Sequence, residues 1–170
     1  TPEELKVDIS HVEDFILKGT LGPITVRKYL NESKNISIQQ KSPSIIYFHG
    51  GGFVMGDLES HDLVCRHLCK QTNAIVIAID YKLAPEHKFP AAITDTKDAI
   101  TEIINRAEEF NIDQNKVILC GDSAGGALAT VGTILSRDKS VPKVHGQILV
   151  YPWVDMTMCR RSMDINLEGM

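Results

Sequence analysis

Val117-Ile118-Leu119-Cys120-Gly121-Asp122-Ser123-Ala124-Gly125-Gly126-Ala127-Leu128-Ala129 decides how this chain is read. Four apolar residues in a row fit a strand buried on both faces, and the Ala-rich stretch running to about Ser136 fits a helix. Between them stands G-x-S-x-G, the pattern of a serine carried on a sharp strand-to-helix turn. Such a turn needs small residues two positions either side of the serine so that strand and helix can close up, and Gly121, Gly125 and Gly126 meet that need. The serine is thereby pushed to the carboxyl end of a sheet, where open α/β folds place their ligands. The helix that follows aims free N–H groups at developing negative charge. By itself the pattern also fits an ordinary glycine-rich turn.

Working outward, a second apolar run, Ile45-Ile46-Tyr47-Phe48, ends abruptly in His49-Gly50-Gly51-Gly52. Acyl transfer passes through a tetrahedral oxyanion, and in this architecture half of its hydrogen-bond donors belong on a glycine loop after another buried strand. The expected donors are the N–H groups of Gly51, Gly52 and Ala124, with Ser123 as nucleophile. The two motifs stand in the right order on the right elements, which an incidental turn does not explain.

The remaining pattern supplies the scaffold. Val12 to Leu17 and Ile24 to Leu30, separated by Gly19 and Gly22-Pro23, read as an opening hairpin. A polar loop spans Asn31 to Ser42. A helix is expected near Glu59 to Gln71, a strand over Ala74 to Ile79, a long helix from about Pro90 to Phe110, and a last strand near Gly146 to Tyr151. Alternating strands and helices imply a mostly parallel sheet with helices on both faces. The 170 residues suit one domain, 1–170.

Together His49 to Gly52, Asp80-Tyr81-Lys82-Leu83-Ala84-Pro85-Glu86-His87, Gly121 to Gly126 and Tyr151-Pro152 resemble the hormone-sensitive-lipase family of carboxylesterases, which have the α/β-hydrolase fold. The resemblance runs from about Ile24 to the end of the chain. It implies a hydrolase, an esterase or lipase, that cleaves carboxylic esters, usually with short acyl chains, through a Ser123 acyl-enzyme. It implies Gly51, Gly52 and Ala124 as the oxyanion hole and needs no cofactor. Lys82 departs from the family's usual Arg and lacks its rigid fork.

The order Ser, acid, His along such chains puts the base well after Ser123. Only His145 follows it, at the start of a strand and so at the wrong end. Asp155, Asp164 and Glu168 also follow, but the resemblance places the acid on a loop beyond Met170. The expectation is therefore a fragment of a longer hydrolase, without the C-terminal strands, most of the N-terminal cap, or the catalytic Asp and His. A first residue of Thr rather than Met agrees with this. Ending after an apolar strand exposes a sheet edge, which invites pairing with the missing C-terminal part or a homo-oligomer. A catalytically incomplete, small-molecule-binding module is the alternative.

The totals narrow the partners. An apolar share of 43%, a charged share of 24% and a net charge of −4 belong to a globular chain without a basic stripe, so a small ester and not nucleic acid is the expected partner. No apolar run approaches the ~20 residues of a membrane span, the first residues Thr1 to Glu4 lack a signal peptide's features, and the four cysteines form no C-x-x-C, which together point to the cytoplasm. His61, Cys65 and Cys69 share a helical face; packing explains the cysteines better than a metal, since no fourth ligand is evident. Glu86 and His87 are expected to brace a loop, Asp122 to hydrogen-bond within the elbow, and Cys120 to pack in its strand. Trp153 and Met156 are open between lining an acyl pocket and simple packing.

Overall fold

The computed structural model describes residues 7–31 and 41–157. Thr1 to Glu4, Cys159, Asp164, Glu168 and most of the polar loop lie outside the described residues. The strands are β1 (His11–Leu17), β2 (Ile24–Leu30), β3 (Ser42–Phe48), β4 (Ile75–Asp80), β5 (Ile112–Asp122) and β6 (Gly146–Val150). The helices are α1 (Asp62–Thr72), α2 (Ala91–Asn105), α3 (Ala107–Phe110) and α4 (Ala124–Arg137).

The strands form one sheet in the order β1-β2-β4-β3-β5-β6. The hairpin β1–β2 and the β2–β4 pair are antiparallel, while β4, β3, β5 and β6 run parallel. The apolar runs of β3, β4 and β5 lack polar alternation because both faces of these strands are covered. Ile46, Phe48, Ile75, Ile77, Ile79 and Leu119 pack with Ile100, Ile103 and Leu128 of α2 and α4. Their neighbours Ile45, Tyr47, Val76, Ala78 and Cys120 turn the other way, onto Cys65 and Cys69 of α1. The period of two thus sorts one apolar run into two cores.

Three of the boundaries that differ from the sequence reading have a visible reason. Helix α1 starts at Asp62 and not near Glu59, because Asp57 and Ser60 close a turn first: the Ser60 N–H donates to Asp57 Oδ1 at 2.7 Å and the Asp57 N–H to Ser60 Oγ at 2.9 Å. The helix expected over Pro90 to Phe110 is two. It breaks at Arg106, whose guanidinium reaches the Ile16 carbonyl of β1 at 3.2 Å and Glu109 at 2.6 Å, and α3 then lays Phe110 against Phe15 with ring centroids 5.0 Å apart. Strand β3 begins at Ser42, its pairing with β5 shifting between Ser42 and Ser44 across Pro43, which has no N–H for the ladder.

Strand β6 is an edge of the described sheet, and Ile148 and Val150 are about two-fifths exposed. Among the described residues no helix is long and apolar enough to cross a membrane.

Candidate active site

The β3–β5 register sets Phe48 beside Gly121, so the glycine loop after β3 and the serine turn after β5 emerge side by side. Ser123 sits at φ 50°, ψ −116°, a strained conformation for a residue with a side chain. The surroundings hold it there. Its N–H donates to the Val150 carbonyl of β6 at 2.9 Å, and its carbonyl accepts the N–H groups of Ala127 at 3.1 Å and Trp153 at 3.0 Å. The turn closes because α4 crosses directly over the end of β3. A Cβ on Gly125 would collide with the carbonyl oxygen of Phe48 and come within 2.6 Å of that of His49.

The facing loop turns on Gly51 at φ 118°, Gly52 at φ 64° and Phe53 at φ 64°. Its carbonyl at Gly51 receives the N–H groups of Val54 and Met55 at 3.1 and 2.9 Å, and the Phe53 carbonyl receives that of Ala84 at 2.8 Å. A Cβ on Gly52 would meet nothing within 4 Å, so the peptide there is open to an incoming group. Ala124, the first residue of α4, carries one of the N–H groups that a helix start leaves without an intrahelical acceptor.

Asp122 ties the two halves together. Its Oδ1 accepts the Gly50 N–H at 3.0 Å and the Tyr47 hydroxyl at 2.7 Å, and His61 Nε2 stands 3.6 Å away. Burial, and then donation to this carboxylate, push the Tyr47 phenol well above its ordinary range. The elbow role expected of Asp122 is what the structure shows, but its reach to Gly50 and Tyr47 was invisible in the sequence, because those contacts span more than 70 positions.

Behind the loop, His49 is 2% exposed and stacks on Tyr81 at a centroid separation of 4.3 Å, while the Tyr81 hydroxyl donates to the His49 carbonyl at 2.7 Å. Its Nδ1 lies 2.7 Å from the Gly50 carbonyl, which can only accept, so Nδ1 carries the proton. Nε2 is buried with no partner among the described residues. Burial therefore lowers the imidazole below its ordinary value of 6.5. The folded chain holds His49 neutral while the unfolded chain protonates it as pH falls through that value, so stability is lost on acidification. From pH 7 to pH 5.5, urea unfolding is expected to show a loss of up to about 1.4 kcal/mol per pH unit from this group, absent from His49→Gln.

Lys82, where the resembling family has Arg, keeps the loop anchored by other means. Its Nζ lies 3.3 Å from Oδ2 of the fully buried Asp95, and its own backbone N–H gives that oxygen a second bond at 2.9 Å. Cys65, Cys69 and Cys120 are buried free thiols, as a packing role requires, and burial raises all three. His61 stands at the N-terminal boundary of α1, and its ring faces Asp122, not the cysteines. Glu86 and His87 are exposed, and the His87 N–H closes a turn onto the Leu83 carbonyl at 2.9 Å. Met156 lines a cavity beside the elbow, and Trp153 approaches Phe53 with ring centroids 6.2 Å apart. His145 is exposed at the amino end of β6, where its N–H donates to the Val117 carbonyl at 2.8 Å, far from the serine turn. Among the described residues, no histidine nitrogen is hydrogen-bonded to the Ser123 hydroxyl, and no group of three His, Cys, Asp or Glu side chains could hold a metal ion.

A serine on a strained strand-to-helix turn, beside a glycine loop on the neighbouring parallel strand, defines a class, and residues 45–169 match its family model: the chain belongs to the α/β-hydrolase fold family. It is 41% identical over 141 residues to the esterase LipI of Mycobacterium tuberculosis, covering 83% of this chain and 43% of that protein. Among solved structures, a hyperthermophilic esterase from the archaeon Pyrobaculum calidifontis superposes with a TM-score of 0.81 at 42% identity, covering 87% of this chain and 46% of that one. EstE1, a thermostable carboxylesterase cloned from a metagenomic library, superposes at 0.83 with 38% identity, covering 89% and 50%. The chain thus spans about half the length of the relatives it matches.

Proposed function

We propose that the chain carries the nucleophile and oxyanion hole of a carboxylic ester hydrolase. The observation that carries this reading is the tie from Asp122 to Gly50, which sets the strained Ser123 turn against the glycine loop. Ser123 Oγ attacks the ester carbonyl carbon and gives its proton to a base. The N–H groups of Gly51, Gly52 and Ala124 hold the oxyanion, the alcohol leaves with a proton, and water then releases the acid from the acyl-serine. By the resemblance, the base is a histidine after β6 and not His145, whose position at the opposite end of the sheet keeps it from the serine. The names of LipI and EstE1 as esterases support the reaction class. A small neutral ester as partner agrees with the net charge of −4, and buried free thiols agree with a reducing, cytoplasmic setting.

The test is p-nitrophenyl acetate hydrolysis by the longest available gene product that contains this chain, beside its Ser123→Ala variant, together with the site of a fluorophosphonate adduct. Turnover with a single adduct on Ser123 is the expected result. Labelling without turnover would favour the binding-module alternative, and neither would sink both.

Within this reading Asp122 acts as a positioning residue. Asp122→Ala removes the acceptor of the Gly50 N–H, and a displacement near 1 Å at such a loop costs on the order of a hundredfold in rate. Steady-state kinetics should show that loss in kcat more than in KM. Asp122→Asn, which still offers an oxygen to Gly50 and Tyr47, should recover most of it.

A further inference from the structure

Between α2 and α4, one turn along α4 from Ser123, lies a cavity of about 290 Å³. Ile93 of α2 lines one side and Ala127, Leu128 and Val131 of α4 another, and Phe53 and Met156 are among the other residues that line it. Three of these are bound to the reaction centre by the backbone. The Ala127 N–H donates to the Ser123 carbonyl at 3.1 Å, Phe53 directly follows Gly52, and Met156 lies three residues after Trp153, which donates to the same Ser123 carbonyl at 3.0 Å. The one lysine of the lining, Lys82, has its ammonium on Asp95.

Size and chemistry define the occupant. The cavity offers shape and apolar surface, with few polar groups to orient a guest. A dry cavity of about 150 Å³ lined by Leu, Ile and Phe accepts benzene. This one is about twice that, at the lower end of the ~300–1,000 Å³ of ligand pockets, so it suits a phenyl ring on a short tether better than a long extended chain. Val131 stands seven residues along α4 from Ala124, about 10 Å at 1.5 Å per residue, farther from the serine turn than Ala127 and Leu128 of the same wall.

We infer that this chamber receives a compact aryl-alkyl or branched alkyl group of the substrate ester, and that Val131 and Ile93 limit its length. The inference rests on the ester-hydrolase reading only for its role in catalysis. Two measurements separate the two. First, benzyl methyl ether, which has the bulk but no scissile ester, is titrated while the methyl signals of Ala127 and Val131 are followed by NMR. Saturable shifts are expected; none up to the solubility limit overturns the chamber. Second, kcat/KM of the longest available gene product that contains this chain is compared for methyl 3-phenylpropanoate, 3-phenylpropyl acetate and ethyl acetate. One of the two bulky esters should exceed ethyl acetate by about tenfold or more, and Val131→Phe should cut that ratio by a similar factor. Ile93→Phe repeats the test from the α2 side if Val131→Phe does not fold. Preference for the propanoate assigns the chamber to the acyl group, preference for the acetate to the alcohol. Equal ratios, unmoved by either variant, overturn the inference and leave the hydrolase reading standing. Saturable binding with no hydrolysis of any ester does the reverse.

Discussion

Ser123→Ala is expected to lower ester hydrolysis by about 10⁴- to 10⁶-fold, because nucleophile, base and oxyanion donors act as a unit and losing the nucleophile leaves only what binding and the oxyanion hole provide. Rate alone would not separate this from a damaged fold, so the companion variant is Ser123→Gly. It removes the same hydroxyl, but glycine adopts φ 50° without the penalty that Ser123 bears. A non-glycine residue in so sparse a region stores ~1–3 kcal/mol. Ser123→Gly should therefore be as inactive as Ser123→Ala yet melt higher, by roughly 2–4 °C per kcal/mol recovered in a chain of this length. A calorimetric scan of both variants checks it. An inactive serine that gives no gain in stability on replacement by glycine would mean that the turn is not under strain.

Gly125→Val is expected to be the most damaging single change to the fold. A side chain there meets the backbone of Phe48 and His49, which cannot rotate away, and α4 would have to lift off the end of β3. Overpacking a well-filled interior costs ~1–3 kcal/mol, and collision with backbone belongs at or above the top of that range. A drop in Tm of about 6–12 °C corresponds to some 3 kcal/mol here. Gly132→Ala is the control from the same helix. Its added Cβ would meet Ile100 Cδ1 and Leu119 Cδ1, both at 2.7 Å, and these are the far ends of flexible side chains. It should lose clearly less than Gly125→Val, and the difference measures how tightly helix and strand close beneath the serine.

Gly121 to Gly126 and His49 to Gly52 were legible because the chemistry needs short, contiguous stretches whose backbone conformation glycine itself permits. The strands were legible because two-sided burial removes polar residues from them. The order β4-β3-β5 was not, since nothing in Ile45 to Phe48 tells that strand to sit between its two successors. The Tyr47–Asp122–Gly50 tie and the Tyr81–His49 stack depend on that order, and so they became visible only with it. The break at Arg106 escaped for a related reason: the apolar spacing of a helix continues through it, and the cause is a carbonyl on β1, some 90 positions away. Lys82 shows the limit of judging by a motif. The departure from Arg suggested a lost contact, whereas the backbone N–H of the same residue supplies the second bond to Asp95.

Because Phe48 and Gly121 are partners in one ladder, the gap between the glycine loop and the serine turn is the spacing of two adjacent strands, about 4.8 Å. On the ester-hydrolase reading the sheet is the ruler for the reaction, and no loop has to measure the distance. The walls at Ile93 and Val131 stand on helices that can change residue without moving that ruler. On the ester-hydrolase reading, the choice of ester and the spacing at which its bond is broken are therefore held by different parts of the molecule, the first by side chains on α2 and α4 and the second by the strand register itself.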